Sequence, residues 1–230
     1  MKKYLLVFFI LTFCIKCYAN EKFEFENFFN DFSLVPIERL SGGELFGVVE
    51  VYIKNAKYNQ AIELAEKMIK EYPDIAQGYI LLAKAKSKSG DTKDLEKIYT
   101  TCIEKCPKDA RAYIYRAIIR HNQKRYKDAI EDYTTALKLD DASWYKYNLY
   151  ENRAVAKYFD GNLYSALIDY NKAISLKEET SDRQNIDQFY FNRGLCRYDV
   201  GDIIGANEDY IKAVTLNPAS NYVYYNVKAE

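Results

Sequence analysis

The strongest constraint on this chain is internal repetition, because a sequence that repeats at a fixed period must build a stack of like units, each covering its neighbour's apolar face. Three segments align residue by residue: Tyr113-Ile-Tyr-Arg-Ala117, Tyr150-Glu-Asn-Arg-Ala154 and Tyr190-Phe-Asn-Arg-Gly194. Each is followed by a second shared segment, Asp128-Ala-Ile-Glu-Asp-Tyr133, Ser165-Ala-Leu-Ile-Asp-Tyr170 and Gly205-Ala-Asn-Glu-Asp-Tyr210. A third follows: Ala136-Leu-Lys-Leu139, Ala173-Ile-Ser-Leu176 and Ala213-Val-Thr-Leu216. Glycine turn signals stand at Gly90-Asp91, Gly161-Asn162 and Gly201-Asp202. With 23 tyrosines against 9 glycines and 4 prolines, the composition suits packed helices rather than loops.

The pattern resembles the tetratricopeptide repeat (TPR), a helix–turn–helix unit of about 34 residues. The resemblance implies an all-α fold, a right-handed α-solenoid of about five units at 42–75, 76–109, 110–143, 147–180 and 187–220. Each unit comprises two helices, A and B, too short to persist in water alone and therefore formed by packing on each other. Small residues are expected where they approach: Val49, Ala83, Ala117, Ala154 and Gly194 on A, and Ala61, Ala129, Ala166 and Ala206 on B, with Leu95 the exception. One turn on, Tyr99, Tyr133, Tyr170 and Tyr210 recur, with Ala65 in the first unit. Pro73, Pro107 and Pro218 end B helices, which proline cannot continue. Asp141 and Glu178 replace that proline in units three and four, so longer helices are expected around 143–159 and 176–199. Arg116, Arg153 and Arg193 recur on helix A, and Asp132, Asp169 and Asp209 on helix B, at one constant separation. A repeated A-to-B ion pair follows, structural rather than catalytic because it occurs once per unit.

In the family, helix A lines a concave binding face. Carried across, its positions are Phe46, Glu50 and Ile53 in unit one and Gln77, Ile80, Lys84 and Lys88 in unit two. Unit three supplies Arg111, Ile114, Ile118, His121 and Asn122; unit four Asn148, Glu151, Val155, Tyr158 and Phe159; unit five Gln188, Phe191, Leu195, Tyr198 and Asp199. The Lys/Asn set with which some members clamp a chaperone's C-terminal carboxylate is absent. An apolar groove of this kind suits a hydrophobic peptide or amphipathic helix. The expected function is a non-catalytic scaffold or adaptor for a protein or peptide ligand, the alternative being a homo-oligomer assembled through the solenoid ends.

The termini bear on compartment. Lys2 and Lys3, an apolar run from Leu5 to Ile15, and small residues at Cys17 and Ala19 make the three-part layout of a signal peptide, with cleavage placed after Ala19. The alternative is an uncleaved anchor, against which the run counts, being shorter than the ~20 residues a bilayer span needs. The expectation is an exported protein, periplasmic, envelope-associated or secreted. Lipidation of Cys14 or Cys17, preceded by Phe13 and Lys16, is a minority alternative that would tether it to a membrane. Residues 20–41, with Phe23-Glu-Phe-Glu-Asn-Phe-Phe-Asn-Asp-Phe32, either fold back on the first unit or recruit a partner; residues 221–230 start a further helix that stops early.

Charges balance at 33 basic and 33 acidic, which argues against nucleic acid as partner. Cys102, Cys106 and Cys196 are an odd set after cleavage; Cys102 and Cys106, one turn apart on one helix, are poorly placed for a disulfide, and Cys102 and Cys196 are expected as small buried residues. The single histidine, His121, has no partners at metal-ligand spacing, and no phosphate loop or nucleophile–base pair is present, so no cofactor, metal or enzymatic activity is expected.

Overall fold

The structure is a computed structural model that describes residues 42–139, 146–181 and 183–220. The expected signal peptide, the segment 20–41 and the C-terminal segment 221–230 lie outside the described residues. Contacts divide the chain into two compact units, Met1–Leu45 and Phe46–Glu230. Of the first, only the opening turn of one helix is described, and the architecture below is that of the second.

The described residues form ten helices. The A helices are α1 (Gly42–Lys54), α3 (Ala76–Ser89), α5 (Ala110–Asn122), α7 (Lys146–Phe159) and α9 (Ile186–Asp199). The B helices are α2 (Tyr58–Glu71), α4 (Leu95–Lys105), α6 (Tyr126–Leu139), α8 (Leu163–Glu179) and α10 (Ile203–Leu216). From α2 onward each helix packs on its neighbours in sequence, and α7 also meets α9, so successive A helices lie side by side. This is an α-solenoid of helical hairpins.

The small residues explain the close approach of A and B. Val49, Ala61, Ala117, Ala129, Ala154, Ala166 and Ala206 have no exposed surface, and Ala83 almost none. Gly194 is the extreme case: a Cβ there would come within 2.7 Å of the Tyr210 ring. The recurring tyrosines fill the wedge one turn on, with Tyr99, Tyr133, Tyr170 and Tyr210 all buried. Gly90, Gly161 and Gly201 close the A helices of units two, four and five at φ 88°, 81° and 86°, a left-handed backbone open to glycine at no steric cost.

The repeated ion pair is present, and it is larger than expected. Asp132, Asp169 and Asp209 are buried, and each receives a two-pronged guanidinium from Arg116, Arg153 or Arg193 at 2.6–2.9 Å. A second cation one helical turn on, Arg120, Lys157 or Arg197, reaches the same carboxylate at 2.9, 2.7 and 3.1 Å. The first guanidinium also lies over the ring of Tyr113, Tyr150 or Tyr190 at 5.4–5.9 Å. Each acid is thus saturated, the condition under which a buried charge is tolerated.

One expectation needs correction. No helix runs through 176–199: α8 ends at Glu179, Thr180 is extended, and α9 begins only at Ile186. The break is local chemistry: the Thr180 hydroxyl donates to the Lys177 carbonyl at 2.7 Å, and Asn185 takes a left-handed φ of 59°. It lets α9 lay Ile186, Phe189 and Tyr190 on Ala173 and Ile174. The other long helix, α7, starts at Lys146, and the residues just before it are outside the described set. The cysteines among the described residues are free, with Cys102 and Cys196 buried and Cys106 half-buried.

Candidate protein-binding groove

Because helical side chains recur on one face every three or four residues, four rows of residues run across the successive A helices. The row next to the small contact residue reads Glu50, Lys84, Ile118, Val155, Leu195. One turn on come Ile53, Ser87, His121, Tyr158 and Tyr198, and beside them Lys54, Lys88, Asn122, Phe159 and Asp199. One turn earlier lie Phe46, Ile80, Ile114, Glu151 and Phe191. The face therefore changes character along the stack, charged in units one and two and aliphatic to aromatic in units three to five.

Its polar residues pair across units. Lys84 bonds Glu50 at 2.9 Å, Arg111 donates to Gln77 at 2.6 Å and also grips Asp109, Asn192 donates to Glu151 at 2.7 Å, and the Tyr158 hydroxyl donates to Asp199 at 2.6 Å. The apolar residues are left open. Ile118 is 38% exposed, Phe159 55% and Tyr198 38%. Val155, Leu195, Phe191, Ile114 and Phe46 are half-buried between them and the core. Ile53 and Ile80 are buried and form floor rather than surface. Asn148, Gln188 and Asn122 are exposed at the edges.

Burial pushes the Glu151 carboxyl above its ordinary range, and the Asn192 amide opposes that only in part. Burial lowers the His121 imidazole, which packs against Tyr126 and Phe159 with ring centres 5.3 and 5.9 Å apart. His121 is an aromatic packing element here.

Two features escaped sequence reasoning. A cleft of about 640 Å³ opens between α3, α4 and α5, with Thr92 and Tyr99 of the second hairpin among its lining. On the B helices, Tyr164, Ile168, Ile204 and Ile211 are 67–78% exposed. The signal for the first is the small residue at position 92, where the other units carry a bulky one, but only packing shows that it leaves a gap.

The family model described as tetratricopeptide repeat matches residues 110–141, the third hairpin. That match makes the third hairpin a tetratricopeptide repeat, and the other hairpins share its helix–turn–helix architecture. Curated relatives include the mitochondrial import receptor subunit TOM70 of Homo sapiens and of Rattus norvegicus, each 24% identical over 133 residues. Those alignments cover 57% of this chain and 21% of the relative, so the chain spans about a fifth of their length. Among solved structures, one titled for the functional characterization of Pseudomonas aeruginosa pilF superposes with a TM-score of 0.63 at 16% identity, over 76% of this chain and 75% of the other. A crystal structure of MamA gives 0.64 at 19% identity over 74% and 95%. MamA from Desulfovibrio magneticus RS-1 gives 0.65 at 14% identity over 78% and 97%. At these identities the likeness is one of fold.

Proposed function

We propose that this TPR chain is a non-catalytic scaffold that binds a peptide or helix of another protein along its A-helix face, in the exported or envelope compartment. One observation carries the reading. Gln77 and Arg111, Glu151 and Asn192, and Tyr158 and Asp199 are matched to each other across units, while Ile118, Phe159 and Tyr198 stay open to solvent. An apolar strip between satisfied polar neighbours suits a ligand that contributes apolar side chains at helical or extended spacing. Each anchor it buries contributes about 1.5–3 kcal/mol. Three or four anchors, less the cost of association, give roughly micromolar affinity. The repeat family supports a protein as ligand, and the basic-then-apolar start of the chain supports export.

The test is capture from envelope extract with the wild-type chain and with Ile118→Glu combined with Phe159→Glu. Both sites are exposed, so the variant should keep its helical circular dichroism. One protein captured by the wild type and lost from the variant is the expected result. Capture of the chain itself, equally by both, would replace this reading with self-assembly. Loss of helicity in the variant would show that these side chains belong to the core.

A further inference from the structure

We propose that the second hairpin carries a socket for one large aromatic side chain of the bound peptide, with a lysine lip that receives a carboxylate beside it. The inference rests on the peptide-binding reading above and names its ligand chemistry. It starts from a substitution at one repeat position. Three residues before the contact residue of helix B stand Tyr58, Tyr126, Leu163 and Ile203, all bulky and half-buried; in the second hairpin that residue is Thr92, small and exposed.

The third hairpin shows what the bulky residue does. Tyr126 stacks on Phe159 of the next A helix, with ring centres 5.5 Å apart, and meets His121 of its own A helix edge-on at 5.3 Å. The three rings close the wedge between successive A helices. In the fourth hairpin Leu163 packs with Tyr158, whose hydroxyl bonds Asp199 of the next A helix. Position for position, the second hairpin offers Thr92 and Ser87, and the next A helix Asn122, three small polar residues, all exposed. Its B helix also begins late: α4 starts at Leu95, so the turn that would hold the plug is not helical.

The wedge consequently stays open as the cleft of about 640 Å³. Ile80, Leu95, Tyr99 and Ile118 supply an apolar lining, and Tyr115 stacks on Tyr99 at 5.3 Å to make one wall. Lys84 and Lys88 are the charged residues of the lining, and it includes no acid. Lys84 is shared with Glu50, whereas Lys88 makes no ion pair among the described residues. An apolar floor under a free cation matches an aromatic side chain with an Asp or Glu next to it. Cavities of ~300–1,000 Å³ enclose ligands of that size.

The probe is a fluorescein-labelled, end-capped peptide, Ser-Glu-Trp-Glu-Ser, titrated by anisotropy against the full chain. Thr92→Tyr, which restores the residue found in the first and third hairpins, should weaken binding about tenfold or more while leaving thermal unfolding unchanged or raised. Lys88→Glu should weaken it several-fold, and that effect should vanish when both glutamates of the probe are glutamines. Replacing the probe tryptophan by alanine should abolish binding. No binding of the probe by the wild type at millimolar concentration, or equal binding by wild type and Thr92→Tyr, overturns the socket. Phe159→Glu with Tyr198→Glu, outside the cleft, separates the two ideas. If that pair loses partner capture and Thr92→Tyr keeps it, the socket falls and the groove stands. If Thr92→Tyr blocks the probe while the pair keeps capture, the socket stands and the wider groove reading falls.

Discussion

Replacing Asp169 by alanine should cost about 3 kcal/mol, because the loss strands two cations rather than one contact. The carboxylate is 2% exposed and accepts from Arg153 Nε at 2.7 Å, Arg153 Nη2 at 2.8 Å and Lys157 Nζ at 2.7 Å. Those side chains are themselves only 15% and 14% exposed, so water does not replace the lost acceptor. Removing one member of such a buried set typically costs ~3–5 kcal/mol. The low end applies because Arg153 keeps a bond to Thr134 Oγ1 and its place over the Tyr150 ring, and Lys157 keeps the Ser165 carbonyl. For a chain of this size that corresponds to a fall in Tm of roughly 6–12 °C, at ~2–4 °C per kcal/mol. The assay is urea and thermal unfolding by far-UV circular dichroism. Glu50→Ala is the control, since the Lys84–Glu50 pair is 43% and 37% exposed and should contribute under about 1 kcal/mol. Combining Asp169→Leu with Arg153→Met and Lys157→Met should recover most of the loss, because an apolar set has no stranded charge. A loss below about 1 kcal/mol for Asp169→Ala, or no recovery in the triple variant, would refute the reasoning that desolvated charge sets the cost.

Three further outcomes are expected. Gly194→Ala should destabilise by about 1–3 kcal/mol despite alanine's higher helix propensity, because the new Cβ meets the buried Tyr210 ring; a rise in Tm would show that the two helices separate freely. Burial raises the Glu151 carboxyl above its ordinary 4.5, so between the two values the folded state binds more protons than the unfolded one and stability falls as pH rises. Glu151→Gln should remove that fall and be the more stable protein at neutral pH, as read by urea midpoints across a pH series. Burial pushes the Cys102 thiol to about 12 and Cys196 to about 11, so iodoacetamide near pH ~8 should spare both until the chain unfolds, while half-buried Cys106 reacts first, as read by peptide mass spectrometry.

Much of this was written at the level of residue identity. The hairpin boundaries, the alanine contacts and the Arg–Asp pairing follow from the repeat, since every unit solves the same packing problem with the same side chains. What exceeded expectation was the second cation on each acid. Arg120, Lys157 and Arg197 sit one turn after the first arginine, a spacing visible in the sequence but meaningful only once the B-helix carboxylate stands between them.

The helix break at 180–185 was misjudged because a missing proline permits a helix to continue without requiring it; the turn is set by Thr180, Asn185 and the need to seat Ile186 on α8. Which groove residues stay open was likewise beyond reach. Ile80 and Ile118 occupy neighbouring rows of the same face, yet one is 7% and the other 38% exposed, because burial depends on what the next helix brings against them. The sequence by itself determined the period, the two-helix unit and the contacts inside each hairpin, all of which are local and repeated. The tertiary structure alone decided where the stack leaves gaps, since a gap such as the one beside Thr92 is defined by side chains from three helices that only packing brings together.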